Sequence, residues 1–210
     1  MTAFVFDFGR VLFDWQPERL LQRLLPQRAF DAASTAHWTA QVFQDYQGDW
    51  GEFDRGAVSP AEVVQRIASR TGLRPDEVQW VVDAVPASLQ PITASVALIN
   101  RLRRPGRPMF FLSNMPAPFA EYLEHEHAFV RDFDDGVFSS RVKLIKPDPA
   151  IFALAAQRFA LPPGELVFVD DVPANVVAAQ AAGWQALLFT DAAKCERDLR
   201  LAALWPAESG

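Results

Sequence analysis

Ala3-Phe4-Val5-Phe6-Asp7-Phe8-Gly9-Arg10 begins as an uninterrupted apolar run and stops at a carboxylate and a glycine. A run this short, rich in aromatic and β-branched residues, predicts a strand buried on both faces, as in the middle of a parallel sheet. Similar runs at Met109–Leu112, Leu166–Val169 and Ala186–Phe189 read the same way. Helix-like stretches at Pro116–His125, Pro149–Phe159, Ala174–Ala182 and Asp191–Leu204 alternate with them. That alternation predicts an α/β fold with a doubly wound parallel sheet. Ligands of such sheets bind beyond the carboxyl ends of the strands, so the residues just after each run carry the functional information.

Between the first and second runs lie about ninety residues without a clear strand, far more than the few residues and one helix of an ordinary connection. They read as an insertion. Pro17–Leu25, Ser59–Thr71 and Pro75–Ala84 look helical within it. Ser59-Pro60-Ala61-Glu62 supplies an N-cap, a first-turn proline and a capping-box glutamate, and Gly72 marks the end of that helix. Pro86 and Pro91 punctuate the return to a core helix at Ile92–Arg103. The expected organisation is a catalytic core from residues 1–15 and 92–210 and a helical cap from residues 16–91.

Composition narrows the function. Half of the residues are hydrophobic, including 17 Phe and 6 Trp, enough for a substantial core. The formal charge of −6 argues against a nucleic-acid surface, which is usually basic. An acidic protein that binds a small anion must gather local positive charge from Lys, Arg, a metal or helix N-termini. Cys195 is the only cysteine, so neither an internal disulfide nor a cysteine metal cluster can form. No basic-then-apolar leader precedes the first strand and no run reaches membrane-spanning length. A cytoplasmic monomer or homodimer with no membrane partner is expected.

The strand ends are Asp7, then Ser113-Asn114, then Asp170-Asp171, with Lys146-Pro147-Asp148-Pro149 between the last two. Taken singly, each has an ordinary reading: turn carboxylate, helix N-cap, solvated lysine, acids at a helix start. Together, the sheet brings an acid, a hydroxyl, a lysine and an acid pair to one edge. Carboxylates can hold a hard divalent cation, and a hydroxyl with an ammonium can hold phosphate oxygens. One carboxylate remains to attack phosphorus.

In order and spacing these segments resemble the four signature motifs of the haloacid dehalogenase superfamily, and the insertion resembles the helical cap of its first subfamily. The resemblance implies a magnesium-dependent phosphatase acting on a small phosphorylated metabolite. It implies Asp7 as nucleophile, Ser113 with Asn114 binding the phosphoryl group, and Lys146 neutralising it. Asp7, the Gly9 carbonyl, Asp170 and Asp171 become the magnesium site, Asp171 as direct ligand and Asp170 through water. Asn175 reads either as a supporting residue or as a polar surface group, and Arg10 either as a phosphate or substrate contact or as a loop arginine.

Gly9 departs from the pattern. Phosphatases of the family usually carry a second aspartate there, which protonates the leaving group and then activates water. Loss of general acid–base help costs about 10²- to 10⁴-fold in rate. Asp14, or a group brought in by the cap, is the expected replacement. The Asp-x-Gly opening resembles a branch that includes bacterial α-D-glucose-1-phosphate phosphatase, which favours sugar phosphates. Trp50-Gly51-Glu52-Phe53-Asp54-Arg55-Gly56 reads as a substrate-facing loop or as packing. Two rival readings are a metal-independent 2-haloacid dehalogenase, which resembles this chain except for the acid pair, and a weakly active phospholigand-binding protein, which Gly9 alone supports.

Overall fold

The computed structural model describes residues 2–205. Its strands are β1 (Ala3–Phe6), β2 (Phe13–Asp14), β3 (Gln90–Pro91), β4 (Met109–Ser113), β5 (Asp135–Phe138), β6 (Leu166–Asp170) and β7 (Gln185–Leu188). Five of them form one parallel sheet in the order β5-β4-β1-β6-β7, with β1 at its centre. The predicted doubly wound α/β sheet is present. Every residue of β1 is fully buried, Phe4 and Phe6 packing into one apolar layer and Ala3 and Val5 into the other. Alternate side chains of a strand point to opposite faces, so a central strand needs apolar residues at every position.

The helices are α1 (Pro17–Leu24), α2 (Ala32–Phe43), α3 (Gly48–Asp54), α4 (Pro60–Thr71), α5 (Pro75–Ser88), α6 (Thr93–Leu102), α7 (Ala117–Glu126), α8 (Ser139–Val142), α9 (Pro149–Phe159), α10 (Pro173–Ala181) and α11 (Ala192–Leu201). None is long and apolar enough to cross a membrane among the described residues. Helices α1 to α5 lie between β2 and β3, which pair antiparallel where the chain leaves and re-enters the sheet region. Ser59 and Glu62 form the expected capping box, and Gly72 ends α4 at φ +74°.

Several elements differ from the sequence reading. β5 has no apolar run because Gly136 lies against a ring: a Cβ there would stand 2.1 Å from Phe111. Phe111 thus takes the space a side chain on β5 would fill. Helix α5 continues through Pro86 to Ser88, where the burial of Val85 and Leu89 outweighs a proline's helix-breaking tendency near its last turn. The Trp50–Asp54 segment is helical, and Trp50 and Phe53 are buried. Helix α11 stops at Leu201; Ala203 turns left-handed at φ +57°, returning Leu204 and Trp205 to the core.

The insertion has its own ionic clamp. Arg28 donates to both oxygens of Glu77 at 3.2 Å, and the Arg74 amide donates to the same carboxylate at 2.9 Å. These contacts, the arginine's hydrogen bonds first, hold buried Glu77 below its ordinary pKa of 4.5. A depressed folded-state value gives stabilisation that is complete above the unfolded value and lost as pH falls through the folded one. Glu77→Gln should therefore cost about 1–3 kcal/mol at neutral pH, and the gap to the native protein should close on acidification below 4.5. Urea unfolding of both proteins at neutral and acid pH measures it.

Candidate active site

The carboxyl edge of the sheet gathers the predicted residues because each ends a strand or follows the sheet's crossover. Asp7 follows β1, with its amide still donating to Val169 at 3.0 Å. Ser113 and Asp170 end β4 and β6. Lys146 reaches in from the segment before α9, its Nζ 2.9 Å from Asp7 Oδ1 and 2.6 Å from Asp170 Oδ2. All four side chains are buried.

Each is fixed by neighbours. Asn114 accepts from the Lys146 amide at 2.8 Å and donates to the Lys146 carbonyl at 3.0 Å, so it positions the lysine backbone as one strand holds another. Buried Asn175 donates at 3.1 Å to both oxygens of Asp170, and the Val172 amide donates to Oδ1 at 2.8 Å. Asn175 is thus no surface group. Asp170 is surrounded by donors, and Asp171 beside it is half-buried.

Ligand oxygens of Asp7, Asp170 and Asp171 lie within 4.8 Å of one another. Three carboxylates face one ammonium, and burial makes the imbalance costly. Burial foremost, then the charges of Asp170 and Asp171, push Asp7 up to about 7 against the pull of Lys146. Asp171 is raised by burial and by Asp170. Burial alone would lower Lys146, but its two carboxylate partners raise it above the ordinary lysine value, so it stays an ammonium. A cluster of hard oxygen donors short of positive charge fits a divalent cation.

Above the cluster is a cavity of about 250 Å³. Gly9, Arg10, Ser113, Asn114 and Lys146 line its floor, while Trp15, Tyr46, Trp50, Asp54, Val85 and Leu89 close it from the other side. A Cβ on Gly9 would meet no atom within 4 Å, so nothing in the packing requires glycine there. Arg10 stands at φ +56° and donates from Nε to the Trp15 carbonyl at 3.3 Å, at the cavity's edge. Asp14 is exposed, accepts from Gln16 and does not line the cavity. As a replacement acid it is misplaced.

Tyr46 has no counterpart in the sequence reading, and Asp54 figures there only as one residue of the segment 50–56. Tyr46 is brought in by consecutive left-handed residues, Gln44, Asp45 and Tyr46, at φ +49°, +49° and +61°. Non-glycine residues rarely hold that conformation without support. Here Trp15 Nε1 donates to the Tyr46 hydroxyl at 2.7 Å. Neither residue type has a motif of its own; an acid in a helix otherwise lined with Trp and Phe was the available signal.

A family model for haloacid dehalogenase-like hydrolases matches residues 1–183. The chain belongs to that family. This hydrolase is 29% identical over 199 residues to a sesquiterpene phosphatase of Aspergillus oryzae, covering 94% of each chain. It is 34% identical over 92 residues to hexitol phosphatase A of Escherichia coli, covering 44% of this chain and 42% of that one. Its fold matches that of a family enzyme of Bacteroides thetaiotaomicron, solved with magnesium and inorganic phosphate, at a TM-score of 0.70 and 22% identity over 91% of this chain and 95% of that one.

Lys146→Met in this hydrolase should cost about 3–5 kcal/mol of stability, because it strands a buried charge on Asp170. Adding Asp170→Asn should return much of that loss, since paired groups are not additive. Urea unfolding in the presence of chelator tests it. A double variant as unstable as the summed singles would show that the two do not act as a pair.

Proposed function

We propose that this hydrolase is a magnesium-dependent phosphatase that works through an aspartyl-phosphate on Asp7, with residues 16–91 acting as a cap over a core of residues 1–15 and 92–210. The carrying observation is the Lys146 ammonium set between Asp7 and Asp170, with Asp171 completing a cluster of three carboxylates. A metal-independent dehalogenase has no use for that excess negative charge beside its nucleophile.

Asp7, Asp170, Asp171 and the Gly9 carbonyl would hold magnesium, which neutralises charge on the phosphoryl oxygens and lowers the pKa of Asp7. Lys146 and the Ser113 hydroxyl bind those oxygens and orient phosphorus towards the free oxygen of Asp7. Attack by Asp7 expels the alcohol, and water then releases phosphate from the aspartyl-phosphate. Asn114 and Asn175 take no part in bond making; they hold Lys146 and Asp170 in place.

The cavity walls favour a phosphate ester of an apolar alcohol over the sugar phosphates to which the Asp-x-Gly opening inclines. Trp15, Trp50, Val85, Leu89, Met115 and Phe119 surround the space a leaving group would occupy. Sugar hydroxyls turned towards these apolar residues would lack partners, at roughly 1–3 kcal/mol each. The full-length likeness to a sesquiterpene phosphatase points the same way, whereas the likeness to a hexitol phosphatase covers less than half of the chain.

Phosphate release from prenyl, alkyl, aryl and hexose monophosphates, with magnesium or chelator, tests this. Release should require magnesium and fall to background in Asp7→Asn. Across short alkyl phosphates kcat/KM should rise by up to about fourfold per buried methylene, the equivalent of about 0.8 kcal/mol. A hexose phosphate turned over faster than every apolar ester would reverse the substrate assignment, and metal-independent release would remove the mechanism.

A further inference from the structure

We propose that Asp54, at the end of α3, is the general acid and base that the first motif lacks at Gly9; the inference rests on the phosphatase reading above. Besides the cluster's own Asp7 and Asp171, the acids lining the cavity are Asp45 and Asp54, both from the insertion. Asp45 is exposed in the left-handed turn. Asp54 is 5% exposed and lines the cavity, and Ser139 engages its backbone carbonyl, not its carboxyl. An acid shielded from bulk water yet facing a cavity is characteristically kept where chemistry uses it.

The position of Asp54 is set from the sheet side. The Ser139 hydroxyl donates to the Asp54 carbonyl and accepts from the Met115 amide at 2.8 Å, linking α3 directly to the residues after β4. Two residues on, Lys143 Nζ donates to the Gly56 carbonyl. Gly56 stands at φ +71°, where a Cβ would come within 2.7 Å of the Ser140 carbonyl, so only glycine allows this approach. The end of α3 is thereby fastened beside the phosphoryl site rather than left on a loose loop.

Its protonation suits the role. Burial above all, then the charge of Asp7, holds the Asp54 carboxyl well above the usual carboxylate range, against the pull of Lys146. Tyr46 and Arg10 face the same cavity. A carboxyl whose protonated form is favoured in this way can donate a proton and then accept one.

In the first step an Asp7 oxygen bonds to phosphorus and the bond from phosphorus to the ester oxygen breaks. That oxygen keeps the electron pair, takes the Asp54 proton and leaves as the alcohol. In the second, Asp54, now a carboxylate, takes a proton from water as the water oxygen bonds to phosphorus. The bond to Asp7 breaks with its electrons returning to the carboxylate, inorganic phosphate leaves, and Asp54 is again protonated.

The test is rapid-mixing kinetics with magnesium on para-nitrophenyl phosphate and on an alkyl phosphate, for native protein, Asp54→Asn and Asp54→Glu, with thermal unfolding confirming that each is folded. Asp54→Asn should lose about 10²- to 10⁴-fold in steady-state turnover of the alkyl ester. On the aryl ester, whose leaving group needs no proton, it should release a stoichiometric burst of nitrophenolate and then stall as acid-stable phosphoenzyme. Asp54→Glu should recover part of the loss. Asp54→Asn turning over both esters like native protein, or slowing on both equally without a burst, overturns the assignment and leaves the phosphatase reading standing. Native protein inactive on every ester removes both.

Discussion

A single ammonium organises the carboxyl edge of this protein. Lys146 is buried, lies within hydrogen-bond distance of carboxylates from two neighbouring strands, and is held by both faces of the Asn114 amide. Coulomb attraction in a poorly solvated setting is strong, but it repays desolvation only when geometry is fixed on every side. The surrounding hydrogen bonds meet that demand: Asn175 and the Val172 amide hold Asp170, and the ladder to Val169 holds Asp7. The remaining excess of negative charge leaves a set of oxygen donors that could hold a metal ion.

The helical insertion shares the core of the sheet instead of resting on it as a separate body. Phe43 meets Trp50 at 4.5 Å between ring centroids, Trp50 meets Phe53 at 5.9 Å, and Phe53 meets Phe119 of α7 at 5.5 Å. Edge-on aromatic contacts of this kind add about 0.5–1.5 kcal/mol each beyond the area they bury. Such a ladder ties the cavity's roof to the helix that follows β4, so groups on the roof and on the floor keep a defined relation.

What could be read from the chain alone was whatever is local in it. Asp7, Ser113 and Asp170 end apolar runs that declare strand ends, which a parallel sheet aligns by construction, and Lys146 stands before a proline that declares a loop. β5 escaped because a ring from β4 occupies the place of its side chain at Gly136, which erases the apolar signal. Pro86 misled because burial, not local propensity, sets the end of α5. Asp54 lies in a segment legible only as a substrate-facing loop or as packing, and nothing local picks it out of that segment. Its neighbours in space, Ser139 and Met115, are far from it in the chain, and nothing in its own segment announces them.

The open space over Gly9 bears on how such an enzyme changes over time. Glycine and aspartate codons can differ by a single base, and here the backbone neither demands glycine nor resists a side chain. On the role proposed for Asp54, two positions on separate parts of the chain are alternatives for one proton, and the space over Gly9 leaves room for an acid at either. Redundancy of that kind lets the roof drift towards new leaving groups while the phosphoryl chemistry beneath it stays unchanged.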